Sequence, residues 1–239
     1  MLRYVKIDEY PFVMGPSSSA KLENLLTLKS VVARDEWDVK LPHFPRIRKL
    51  GILIDKKINW EALAHLMSKL EHLHSLRVYT NLVYTDDEGS KYPCLNPAFR
   101  NYKQVYSLYL QFRWPEDVLG GFSQLPSNLV KLTLLWSCLE QDPMPELEKL
   151  PSLRVRRLLD DSYKGRQLVC SKGGFKCLQQ LKLRDLENLI ELKVEEGAMP
   201  NLNQLEISDC DRLNVVPGLQ CFTNLPELKF YRTCHMTSV

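Results

Sequence analysis

Apolar residues recur along this chain in a six-residue figure, L-x-x-L-x-L, in which Ile, Val or Phe can replace Leu. It stands as Leu2-x-x-Val5-x-Ile7, Ile47-x-x-Leu50-x-Ile52, Leu73-x-x-Leu76-x-Val78 and Val105-x-x-Leu108-x-Leu110. It continues as Leu129-x-x-Leu132-x-Leu134, Leu178-x-x-Leu181-x-Leu183, Leu202-x-x-Leu205-x-Ile207 and Leu225-x-x-Leu228-x-Phe230. Imperfect copies are Leu25-x-x-Leu28-x-Ser30 and Leu153-x-x-Arg156-x-Leu158. The middle positions are 5, 28, 50, 76, 108, 132, 156, 181, 205 and 228, giving steps of 23, 22, 26, 32, 24, 24, 25, 24 and 23 residues. In each L-x-L the two apolar side chains point to one side of a short strand, because strand side chains alternate. A lone strand cannot bury that edge, so successive units must stack and merge their leucines into one core.

The period is that of leucine-rich repeats. The expected fold is an α/β leucine-rich-repeat solenoid of about ten repeats, with a curved parallel sheet on the concave face. Irregular loops and short helices are expected on the convex face, with Phe175, Met199 and Phe222 closing the core from behind. Ten markers fill residues 1–239 as a single domain. The widest step holds Thr85-Asp86-Asp87-Glu88-Gly89-Ser90, Tyr92-Pro93 and Asn96-Pro97, which read as a surface loop. Asn59 can cap a helix whose Trp60, Leu63, Ala64, Met67 and Leu70 share one face. Prolines such as Pro126, Pro151 and Pro200 fall where the chain turns towards the next strand, since proline cannot donate to a ladder. Met1 directly precedes the first ladder leucine and the chain stops at Thr237-Ser238-Val239, so it reads as the C-terminal piece of something longer or a truncated copy. The first repeat, around Val5 and Ile7, is then expected to fray, because each repeat is held by its neighbours.

Composition narrows the function. The net charge of +3 is mild and gives no reason to invoke nucleic acid or an anionic membrane. No apolar run is long enough for a membrane span, and the N-terminus lacks the apolar stretch of a signal peptide. The eleven asparagines form no N-x-S/T sequon, which favours a cytoplasmic address. Seven cysteines without a C-x-x-C pair argue against a disulfide framework or a zinc site. Cys210 follows the ladder by three residues, where its side chain can satisfy backbone groups at the strand end; Asn81, Ser137 and Thr233 hold the same place.

Catalytic and cofactor chemistry find no support. His65, His72 and His74 lack metal-ligand spacing. Asp160-Asp161 read as a turn rather than an acid/base pair, and no G-x-S-x-G elbow occurs. No catalytic residue, metal ligand or cofactor is therefore expected. One column does rise above background. The residue between the two ladder positions is, repeat by repeat, Lys6, Lys29, Gly51, Arg77, Tyr109, Thr133, Arg157, Lys182, Glu206 and Lys229, six of the ten basic and one acidic. Tyr79, Arg184 and Tyr231 stand two residues further on and should share the same face. Basic residues interleaved with aromatic ones suit an interface for an acidic protein surface. The candidate protein-binding residues are therefore Lys6, Lys29, Arg77, Tyr79, Tyr109, Arg157, Lys182, Arg184, Lys229 and Tyr231.

Arg156 poses a register question. In the frame of its neighbours it occupies an inward ladder position between Leu132 and Leu181. Either a guanidinium is buried there, or the strand slips so that Leu153 and Val155 take the ladder and Arg156 turns outward.

Several stretches carry a resemblance beyond the leucines: LRYVKI with KLENLLTLKSV, LVKLTLLWSCLEQDPMPELEKLPSLRV, LLDDSYKG, VCSKGGF and KVEEGAMPNLNQLEISDCDRL. The chain resembles the C-terminal repeats of plant coiled-coil nucleotide-binding leucine-rich-repeat disease-resistance proteins over essentially residues 1–239, most specifically from Asp142 to Leu213. It departs from them at Arg156, where a leucine is usual, and at Leu192, where an aromatic is common. The resemblance implies a cytoplasmic role in sensing pathogens. Its partners would be a pathogen effector, a monitored host protein or a nucleotide-binding domain held inactive. The chain contains no G-x-x-x-x-G-K-[ST] phosphate cradle, so it would be the sensor and not the nucleotide switch. The alternative is the substrate-recognition part of a ubiquitin-ligase adaptor, which would need an F-box-like segment ahead of the repeats.

Overall fold

The computed structural model describes residues 4–5, 23–33, 45–54, 69–80, 102–113, 122, 125–222 and 225–233. Its strands are β1 (Tyr4–Val5), β2 (Thr27–Ala33), β3 (Lys49–Ile54), β4 (Ser75–Thr80), β5 (Ser107–Gln111) and β6 (Lys131–Leu135). They are followed by β7 (Val155–Leu159), β8 (Gln167–Cys170), β9 (Gln180–Arg184), β10 (Glu191–Val194), β11 (Gln204–Ser208) and β12 (Glu227–Tyr231). Ten of them form one parallel sheet in the order β1-β2-β3-β4-β5-β6-β7-β9-β11-β12. This is the solenoid the ladder predicts.

Register follows the leucines. Leu50 pairs with Leu76, Leu76 with Leu108, and Leu108 with Leu132. Beyond β7, Leu181 pairs with Leu205 and Leu205 with Leu228. A one-residue slip would turn every ladder side chain to the concave face, so burial of the leucine row pins the strands inside the sheet, while Leu228 on β12 is exposed. Two backbone devices repeat with it. A tight turn precedes the strands, as where the Leu178 N–H donates to the Phe175 carbonyl (3.1 Å) and the Leu202 N–H to that of Met199 (3.0 Å). One carbonyl per repeat then accepts two donors from the next, as Val130 does from Arg154 (2.9 Å) and Val155 (3.0 Å). Phe175 and Met199 are buried as expected, and Phe222 packs partly buried against the same core.

The strand β2 departs from the expectation. Ser30 is not its second ladder residue: the register shifts after Leu28, and Val31 faces Ile52 in the core. Lys29 and Ser30 together stand opposite Gly51, which is a bulge of one extra residue. Gly51 explains how the bulge fits, because a Cβ there would lie 1.8 Å from the Lys29 carbonyl oxygen.

The convex side carries a feature that the leucine ladder does not announce. Besides the short helix α1 (Met144–Leu147) and a 3-10 turn at Leu219–Cys221, β8 and β10 form a second, two-stranded parallel sheet. Leu168, Cys170, Leu192 and Val194 from these strands are buried against the main sheet's leucines. The signal for it was present. Leu168-x-Cys170 and Leu192-x-Val194 are alternating pairs 24 residues apart (192 minus 168), the same period as the ladder.

Arg156 is inward. It pairs with Leu132 on one side and Leu181 on the other, and its side chain is 0% exposed. The slipped register is not adopted. The guanidinium lies 5.6 Å from the Phe175 ring and against the Met144 sulfur, and its Nε and Nη2 have no hydrogen-bond acceptor. Burial pushes its pKa down to about 10, with Cys170, Asp142 and Glu148 pulling the other way, so it remains a cation at neutral pH.

Some expectations lie outside the described residues. These are Lys6 and Ile7 of the first repeat, most of the helix from Asn59, the loop from Thr85 to Pro97, Asn81, His65 and the residues from Thr237 onward.

Candidate functional site

Because the strands are parallel and in register, the concave face is a grid whose rows run across the strands. The middle row is Gly51, Arg77, Tyr109, Thr133, Arg157, Lys182, Glu206 and Lys229. Two residues later run Leu53, Tyr79, Gln111, Leu135, Leu159, Arg184, Ser208 and Tyr231. Two residues earlier run Lys49, Ser75, Ser107, Lys131, Val155, Gln180, Gln204 and Glu227. Among the described candidates, Arg77, Tyr79, Tyr109, Arg157, Lys182, Arg184, Lys229 and Tyr231 therefore share one face, and Lys29 stands at the β2 bulge. Lys49 and Lys131 belong to the same face but not to the column read from the sequence. Alternation could have found them, since residues two apart always share a face.

Polar contacts divide this face in two. On β9, β11 and β12 each cation meets a carboxylate. Lys182 Nζ donates to Glu206 Oε1 at 2.6 Å, one strand away. Arg184 forms a two-pronged pair with Asp160, Nε to Oδ1 and Nη2 to Oδ2, both at 2.7 Å. Lys229 pairs with Glu227, and Arg232 lies 3.7 Å from Asp209. Hydrogen bonding to Asp160 holds the Arg184 pKa above its ordinary value.

On β3 to β7 the three rows hold Lys49, Arg77, Lys131 and Arg157 and no Asp or Glu. Arg77 sits over the Tyr109 ring at 5.5 Å, a cation–π contact that leaves its charge unneutralised. Lys131 titrates below its ordinary value, first through burial and then through repulsion from Arg157 and Arg77. Tyr79 is tied down by a hydrogen bond from its hydroxyl to Ser30 Oγ, and Tyr109 donates to Gln111 Oε1 at 3.2 Å. The aromatic groups on this half are therefore fixed in place. A shallow depression of about 290 Å³ lies here, lined by Lys49, Ser75, Arg77, Tyr106, Ser107 and Lys131 among others.

The strand ends add a rim. Asp160, Asp185 and Asp209 occupy one repeat position, each with positive φ (40°, 52° and 54°), a conformation Asp tolerates better than most residues. Burial and the neighbouring carboxylates of Asp160, Asp161, Glu187 and Asp209 raise the Asp185 pKa. Asp160 and Asp161 thus form a turn, as expected. Cys210 is fully buried and its thiol donates to the Ser208 carbonyl at 3.4 Å, while burial pushes it up to about 11. It closes the strand end and is not a reactive thiol. Among the described residues no group of His, Cys, Asp and Glu is placed to hold a metal ion, and no helix is long and apolar enough to cross a membrane.

Residues 2–238 match the family described as "Leucine-rich repeat region". Among similar proteins of Arabidopsis thaliana, the one named Probable disease resistance protein RF9 is 33% identical over 239 residues, covering 98% of this chain and 21% of that protein. Disease resistance protein RPP8 is 31% identical over 233 residues, 95% of this chain and 25% of that protein. The chain thus spans no more than about a quarter of the length of these relatives.

Proposed function

The chain belongs to the leucine-rich-repeat region family, and from that premise we propose that it is a non-catalytic recognition module of plant immunity. It binds a protein partner through the concave face, as the C-terminal repeats of a longer cytoplasmic receptor. The partner is a pathogen effector, a monitored host protein or the nucleotide-binding domain of such a receptor. The observation that carries this reading is the in-register concave face of β3 to β7, which holds four cations and, among the described residues, no carboxylate within ion-pair distance of them. Interfaces of this kind steer and orient an oppositely charged partner. The likeness to disease resistance proteins over nearly the whole chain supports the setting.

The test is proximity labelling in plant tissue with the chain fused to a biotin ligase. Changing Lys49, Arg77, Lys131 and Arg157 together to Glu should abolish labelling of specific neighbours and leave the circular dichroism spectrum unchanged. Undiminished labelling by that variant would overturn the reading.

A further inference from the structure

The four unneutralised cations are not spread evenly. Lys49 on β3 and Arg77 on β4 form one diagonal pair, and Lys131 on β6 and Arg157 on β7 form a second with the same offset. Each pair spans one strand spacing and two residues, about 8 Å between Cα positions. From the first pair to the second is three strand spacings, about 14 Å. Tyr109 and Thr133 lie between them in the middle row, and Thr133 is buried there. Among the described residues no carboxylate lies within ion-pair distance of the four. On the far side of β7 the charge changes: Glu206 and Glu227 occupy Lys182 and Lys229, and Asp160, Asp185 and Asp209 rim the strand ends.

We infer that this surface takes an extended acidic peptide segment of a partner protein, laid across β3 to β7, with carboxylates four residues apart seated in the two cation pairs. An extended chain advances about 3.3 Å per residue, so four residues cover about 13 Å and return to the same face of the strand. The spacing of the cation pairs matches this step. A helix would need nine or ten residues for the same distance at about 1.5 Å each, with the ends off a common face. Nucleic acid fits less well, because duplex DNA carries a charge about every 1.7 Å of axis and two isolated cation pairs leave most of them unmatched. Beyond β7 the concave cations Lys182, Arg184 and Lys229 are already paired with Glu206, Asp160 and Glu227, so the segment gains no further ion pair there. Burial first, and then the Arg157 and Arg77 charges, hold the Lys131 pKa below its ordinary value, so a seated carboxylate offsets an existing repulsion. The inference rests on the concave face being the recognition surface, and it specifies what that surface recognises.

The probes are fluorescein-labelled twelve-residue peptides of Ser, Thr and Gly carrying two Glu residues at i,i+2, i,i+4 or i,i+6, with single-stranded RNA of equal length as control. Fluorescence anisotropy with the 239-residue chain should give the i,i+4 peptide the lowest Kd, by about fivefold or more over the other two. Lys131→Glu or Arg77→Glu should each erase that preference, whereas Lys182→Glu should change the i,i+4 affinity less than about twofold. Equal affinity for all three spacings, a larger loss at Lys182 than at Lys131, or RNA binding at least as tight as the i,i+4 peptide would each overturn the inference. Thermal melts identify any variant that has lost its fold; Lys131→Gln and Arg77→Gln then replace it with the same expectation. If the spacing preference is absent while the four-Glu variant above loses its cellular neighbours, the acidic-segment inference falls and the recognition reading stands. If that variant keeps its neighbours, the recognition reading falls as well.

Discussion

Two halves of one sheet, built from the same repeat, present different electrostatics to solvent: one half paired, the other not. Between β9 and β12 every concave cation has a carboxylate on the same or a neighbouring strand, and Arg184 holds Asp160 with two hydrogen bonds. Between β3 and β7, among the described residues, no carboxylate lies within ion-pair distance of the cations, and Arg77 lies over the Tyr109 ring. Six of the ten column residues are basic in the sequence, yet two of those six, Lys182 and Lys229, are already paired with carboxylates. Exposed pairs of this type add little stability, but they remove charge that a partner could use. The difference teaches that the recognition capacity of such a face depends less on how many lysines and arginines it carries than on which strands are neighbours.

The sharpest way to break the comparison is at its boundary, β7, which shows Arg157 to solvent and Arg156 to the core. Asp142 accepts backbone donors from Met144 and Val169 at 2.8 Å each, and Glu148 accepts one from Ser171, so both keep hydrogen bonds without the guanidinium. Arg156→Leu then removes two buried donors without acceptors and adds apolar burial. It should stabilise the protein by about 1–3 kcal/mol, read as a higher Tm. A lower Tm would mean that β7 sits in the slipped register and that Arg157 does not belong to the basic half.

Next in size is converting one half into the other. Glu206→Lys with Glu227→Lys leaves Lys182 and Lys229 without partners. Affinity for the i,i+4 acidic peptide should then rise up to about tenfold, roughly 1.4 kcal/mol, with a steeper loss at high salt. Anisotropy titrations at two ionic strengths measure it. An unchanged affinity would show that carboxylates in the second half do not limit binding.

Stability should distinguish the halves in the reverse sense. Arg184→Ala gives up a two-pronged pair and should cost about 0.5–1 kcal/mol, the upper range for a partly exposed ion pair. Arg157→Ala gives up no ion pair and should change stability by less than about 0.5 kcal/mol. Urea unfolding of both variants decides, and equal losses would place an unseen anion beside Arg157.

The smallest effect concerns the rim. Burial and four neighbouring carboxylates raise the Asp185 pKa in the folded chain, so the folded state binds the proton more tightly than the unfolded one. Stability therefore falls as pH rises from the unfolded value through the raised one, and the penalty is complete at neutral pH. Asp185→Asn should raise stability at pH 7 by no more than about 0.5 kcal/mol, because the residue is exposed. That gain should vanish below about pH 4, where the aspartate is protonated in both states. Melts at the two pH values check it.

The sequence by itself determined the repeat, the strands of the ladder and most of its core row. Those rest on local rules, a two-residue alternation and a period near 24, that hold wherever the chain is later placed. It also located most of the concave candidates, because the parity of a strand position is readable from one leucine. What it could not determine were relations between repeats. Leu25-x-x-Leu28-x-Ser30 counts correctly, yet Val31 takes the ladder because the missing Cβ of Gly51 lets β2 bulge beside it. Leu153, Val155 and Arg156 allow two registers, and the leucines of β6 and β9 select the one that buries a cation. Lys182 finds Glu206 across 24 residues of sequence and one strand of space, while Lys131 has no carboxylate within ion-pair distance among the described residues. Charge pairing falls steeply with distance. Only the tertiary structure sets those distances, so only it decided which half of the face keeps its cations without carboxylate partners.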